Sequence, residues 1–78
     1  MREWLPIIFS RHALVKLEQR GLTKEMVVHT IERPFRMIVA GEQIHSFRRF
    51  GTLYLKVIFA RTDQHIVVIT QYLVKKLP

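Results

Sequence analysis

The sequence predicts one α+β domain spanning residues 1–78, with two N-terminal helices packed on a four-stranded antiparallel sheet. Three observations predict it. Hydrophobic residues make up 49% of the 78, enough for a packed core and too many for a disordered chain. Apolar positions recur at helical spacing as far as Pro34 and at alternate positions beyond it. Turn residues then punctuate the chain at short intervals, at Gly41-Glu42, Gly51-Thr52 and Thr62-Asp63-Gln64, which is the spacing of antiparallel hairpins.

Each element follows from local chemistry. Leu5–Phe9 is a short apolar run, read as an edge strand whose pairing Pro6 limits. Ser10 caps a first helix, Arg11–Arg20, with Ala13, Leu14 and Leu17 as its core face and Gly21 as its stop. Thr23 caps a second helix, where Glu25 in the first turn complements the dipole. Met26, Val27, Thr30 and Ile31 form its core face, and it ends near Arg33 because Pro34 disfavours helix in the residue before it. Strand-like runs follow at Phe35–Val39, Gln43–Phe50, Leu53–Ala60 and His65–Leu73. The tail from Val74 to Pro78 is basic and expected to be loose.

Alternation assigns the two faces of the sheet. Leu53, Leu55, Val57 and Phe59 point toward the helices, and Tyr54, Lys56, Ile58 and Ala60 away from them. In the last strand the expected inward set is Val67 and Ile69, with Ile66, Val68, Thr70 and Tyr72 outward. Arg48 and Arg49 lie on opposite faces, and the register decides which one joins Lys56.

Charge narrows the partner. The chain carries 13 Lys+Arg against 6 Asp+Glu, a net +7, and arginine outnumbers lysine. Such a field speeds encounter with polyanions, and the planar guanidinium matches phosphate and stacks on bases, which favours nucleic acid. There is no cysteine, so neither a disulfide nor a thiolate metal site is available. His29, His45 and His65 have no metal-site spacing and carboxylates are few, so no metal and no cofactor are expected. No glycine-rich phosphate loop is present. No apolar run approaches the ~18 residues of a membrane span, and Met1–Pro6 lacks a secretory pattern. The expectation is a cytoplasmic protein with no membrane partner.

On the first helix His12, Lys16 and Arg20 follow at four-residue steps and stack along one face. The candidate site is Arg48 or Arg49, Lys56, Thr70 and Tyr72 on the sheet, with His12 and Arg20 closing it from the helix. These residue types suit metal-free RNA cleavage. That reaction needs a base for the 2′-OH, cations for the charge that builds on phosphorus, and an acid for the 5′-oxygen. Tyr72 or His12 could serve as base, and His12 or an arginine could serve the leaving group. Each residue also has an ordinary structural role: a hydrogen-bonding histidine at a helix start, strand-edge charges, or sheet-packing tyrosines. Lys56 is the least ordinary, because a mid-strand lysine between Leu55 and Val57 must snorkel or face an open groove.

The pattern Ser-x-His-Ala-x-x-x-Leu-x-x-Arg-Gly-Leu-Thr over Ser10–Thr23 is followed by a helix ending at Arg33-Pro34, a strand with Arg48, Leu-x-Val at Leu55–Val57 and Ile-Thr-x-Tyr at Ile69–Tyr72. This order resembles small uncharacterised bacterial and archaeal domains that group with the RelE/ParE toxin superfamily, close to BrnT toxins. The resemblance runs from about Phe9 to Tyr72. It implies a RelE-like fold and the toxin role of a type II toxin–antitoxin pair. That role would be a metal-independent endoribonuclease acting on mRNA, with RNA or the ribosome and a cognate antitoxin as partners. On that pattern His12, Arg48, Lys56 and Tyr72 are the candidate catalytic residues, and Lys16, Arg20, Arg49 and Thr70 the candidate RNA-binding ones. RelE-type toxins carry more basic residues across the sheet. The alternative is therefore a non-catalytic basic interaction module, either a gyrase-type inhibitor or a nucleic-acid binder. A homodimer pairing through Trp4 and the Leu5–Phe9 edge is compatible with both.

Overall fold

The computed structural model describes residues 5–78. The elements in chain order are β1 (Ile7–Phe9), α1 (Arg11–Gln19), α2 (Lys24–Glu32), β2 (Arg36–Ala40), β3 (Gln43–Phe50), β4 (Leu53–Arg61) and β5 (Ile66–Val74). The dimer contact expected of Trp4 lies outside the described residues.

Both helices start and stop where side chains satisfy the free backbone groups. The Ser10 Oγ accepts the Ala13 N–H at 3.0 Å, and the Thr23 Oγ1 accepts the Met26 N–H at 3.1 Å. At the end of α1 the Leu22 N–H reaches the Leu17 carbonyl and the Gly21 N–H the Glu18 carbonyl. This paired closure requires the φ of +66° that Gly21 adopts.

The sheet has five strands in the order β1-β5-β4-β3-β2 and is mixed. This corrects the expectation of a four-stranded antiparallel sheet. β1 is a fifth strand and runs parallel to β5, with Ile7 opposite Ile66 and Phe9 opposite Val68. The reason is topological. The helix pair returns the chain so that β2 runs opposite to β1, and the three antiparallel reversals that follow bring β5 back in the direction of β1. The other neighbouring pairs are antiparallel, as the hairpin signals predict.

The helices cover one face only. Ala13, Leu17, Leu22 and Val27 close over Leu55, Val57, Phe59 and Val68, and all eight are buried. Leu14, expected in the core, is 41% exposed, because α1 turns Ala13 and Leu17 toward β5 instead. Met26 and Ile31 pack on the core's margin.

The inward set of β5 also differs from a strict alternation. Ile58 pairs with Thr70 and Phe59 with Val68, so Ile69 is an extra residue. A bulge of this kind reverses the faces on either side of it. Val68 therefore joins Gln71 on the helix side while Thr70 and Tyr72 stay outward. The Ile69 carbonyl accepts a bond from Ser10 Oγ at 3.1 Å.

Candidate nucleic-acid interface on the open sheet face

The face opposite the helices is built by register. The two-residue turn Gly51-Thr52 sets Phe50 opposite Leu53, which places Arg49 opposite Tyr54, Arg48 opposite Leu55, and Phe47 opposite Lys56. On the far side of β4, Lys56 faces Tyr72. On the far side of β3, Phe47 faces Arg36. One level of the open face thus reads Tyr72, Lys56, Phe47, Arg36 across four strands, and the next level holds Val74, Tyr54 and Arg49.

Arg20 completes the row from the helix layer. β1 pairs only with Ile66–Val68, so the outer rim of β5 beyond it has no strand neighbour. Arg20, the residue that ends α1, reaches this rim, donates from Nη1 to the Gln71 carbonyl at 2.8 Å, and sets its guanidinium 5.6 Å from the Tyr72 ring centroid. The Lys56 Nζ lies 5.5 Å from the same ring and 5.7 Å from the Phe47 ring. Arg49 stands 6.0 Å from the Tyr54 ring, which Phe35 meets at 6.4 Å. Cation and aromatic therefore alternate from Arg20 through Tyr72, Lys56 and Phe47 to Arg36.

The row separates the candidate residues. Lys56, Tyr72, Thr70, Arg49 and Arg20 share the open face. Arg48 does not join Lys56. It lies on the helix side, where Nη1 donates to the Arg33 carbonyl at 2.7 Å and closes the C-terminus of α2. His12 is exposed on α1, on the helix layer, and takes no part in the cation–aromatic contacts of the row. Lys16 donates to Gln19 Oε1 at 3.2 Å along its own helix. Of the four candidate catalytic residues, the fold brings two together, Lys56 and Tyr72.

Three residues of this face were not singled out from the sequence. Phe47 is 1% exposed even though no helix covers its side of the sheet among the described residues. Arg36 donates from Nη1 to the Pro78 carbonyl at 2.7 Å, so the tail expected to be loose is tied back to β2. His45 sits opposite Ile58, one level from Lys56. Burial and then the Lys56 charge hold its pKa below the ordinary 6.5, which keeps the imidazole neutral near pH 7. Counting back from the two-residue turn at Gly51-Thr52 would have placed Arg49 and Phe47 with Lys56. The turn at Gly41-Glu42 would have done the same for Arg36.

Among the described residues no group of three or more His, Asp or Glu is gathered as metal ligands, and no helix is long and apolar enough to cross a membrane. No protein-family model, no curated protein and no solved structure matches the chain.

Proposed function

We propose that this chain binds single-stranded RNA on its open sheet face and acts in the cytoplasm as the toxin of a toxin–antitoxin pair. The observation that carries the reading is the alternating row from Arg20 to Arg36. Successive bases of a single strand stack on aromatic rings while the intervening phosphates meet cations, and neither contact requires a particular sequence. Tyr72 and Tyr54 offer the rings, and Arg20, Lys56, Arg49 and Arg36 the charges. The resemblance to the RelE/ParE group supplies the toxin role and the expected antitoxin.

The metal-independent endoribonuclease reading keeps Lys56 to stabilise charge on phosphorus and Tyr72 as a proton-transfer group. It gains His45, a neutral imidazole able to accept a proton near pH 7. A non-catalytic RNA binder is favoured by a different observation: His12 and Arg48, half of the expected catalytic set, stand on the helix layer.

Controlled expression in a bacterial host tests the toxin role. Wild type should arrest translation, and an Arg49→Gln/Lys56→Gln variant, confirmed as folded by circular dichroism, should not. Equal arrest by both would remove the open face from the toxic mechanism. Incubation of purified protein with RNA in EDTA separates the two readings: cleavage lost in Tyr72→Phe supports the nuclease, and retention of RNA without cleavage supports the binder.

A further inference from the structure

The two outer rims of the sheet are treated differently. On the β5 side, Ser10 Oγ occupies the Ile69 carbonyl and Arg20 Nη1 the Gln71 carbonyl, so an added strand finds two acceptors already used. On the β2 side, among the described residues, no side chain bonds to the backbone of Met37–Ala40. β2 has a continuous register, no proline or glycine, and no charge after Arg36. Its helix-side residues Met37 and Val39 are 54% and 68% exposed, far above the ordinary for such side chains in a strand. α2 stands over β3 and β4 and leaves them bare. Beside them runs a groove of about 510 Å³, floored by Ile7, Ile31, Ile44 and Phe59 and rimmed by Glu32 and Arg61.

We propose that β2 is a docking edge for an extended segment of an acidic protein partner. The segment adds as a sixth strand and lays alternate apolar side chains over Met37 and Val39 toward the groove. Backbone pairing supplies affinity and the groove supplies specificity. Charge selects the occupant. Arg33 and Arg36 stand at the start of β2 and Arg61 at the far end of the groove, against the carboxylates of Glu32 and Glu42. The chain as a whole is +7, so a second copy would bring a like charge and an acidic chain an opposite one. The docking edge shares only Arg36 with the cation–aromatic row, its apolar residues Met37 and Val39 lie on the other face of the sheet, and it does not depend on RNA binding.

The test titrates the isotope-labelled full chain with two synthetic nonapeptides of alternating Val and Thr, one flanked by Asp and Glu, the other by Lys. The acidic peptide should saturate, shifting the amides of Met37–Ala40 and the methyl signals of Met37 and Val39, and the lysine-flanked peptide should bind at least tenfold more weakly. Val39→Asp, at an exposed position, should abolish binding without changing the fold. Arg49→Gln/Lys56→Gln should leave it intact. Absence of saturable shifts at Met37–Ala40, equal binding of both peptides, or loss of binding in the open-face variant would each overturn the proposal. So would a concentration-dependent doubling of mass that Val39→Asp reverses, because the occupant would then be a second copy.

Discussion

Lys56→Gln offers the sharpest quantitative prediction. Its Nζ lies 5.5 Å from the Tyr72 ring, on which a base would stack, and 5.7 Å from the buried Phe47 ring, so it stands where the phosphate next to that base would pass. On single strands each neutralised phosphate contributes about −0.7 to the slope of log affinity against log salt, so the four cations of the face set a slope of about −2.8. Removing Lys56 should bring it to about −2.1. Tyr72→Ala should behave differently. Loss of one stacking platform costs about 1–3 kcal/mol at every salt concentration and leaves the slope unchanged. Arg48→Gln, on the helix side, should change neither. The assay is fluorescence anisotropy of a labelled uridine oligonucleotide across a potassium chloride series, with folding of each variant confirmed by circular dichroism. A slope unaltered by Lys56→Gln, or reduced as much by Arg48→Gln, would refute the assignment of the open face as the phosphate-contacting surface.

Other outcomes follow from particular contacts. Arg48→Ala removes the bond that closes α2 at the Arg33 carbonyl. It should cost about 1 kcal/mol, a fall in Tm of roughly 4–8 °C by calorimetry, with RNA affinity unchanged. The Ser46 hydroxyl is fully buried and has no hydrogen-bond partner. Ser46→Ala should therefore be neutral or stabilising in urea melts, since it removes a desolvated polar group. His45 has its pKa lowered from 6.5, first by burial and then by Lys56. The unfolded chain thus binds its proton first as pH falls, and stability should drop through the window just below 6.5. His45→Gln should flatten that part of the pH–stability curve.

Much of this architecture was legible in the chain. Ser10, Thr23 and Gly21 mark helix ends through hydrogen bonds that any helix needs, and Pro34 enforces the end of α2. Leu55, Val57 and Phe59 declare their face by alternation, and Lys56 breaks the pattern on the other. What was not legible depends on contacts between distant segments. The bulge at Ile69 leaves no local mark in an apolar run, yet it exchanges Val68 for Val67 in the core. The parallel pairing of β1 depends on the helix pair and the three hairpin reversals together, which bring β5 back beside it. Arg48 and Arg49 are adjacent, chemically identical and opposite in role, and only the register set by Gly51-Thr52 tells them apart. Arg20 reads as part of a helix stripe with His12 and Lys16, but the short β1 leaves a rim past which it alone reaches Tyr72. Of the expected catalytic set, register places Arg48 on the helix side, away from Lys56 and Tyr72, and His12 stands on α1, the helix on which it was expected.

The central claim is that the open sheet face engages RNA. The most direct measurement is the aromatic proton spectrum of the full chain titrated with a short single-stranded RNA. The account predicts saturable ring-current shifts at Tyr72 and Tyr54, with the methyl signals of Leu14 and Val15 on the exposed side of α1 unmoved. Shifts confined to the helix layer, or no saturable shift at the two tyrosines, would contradict it.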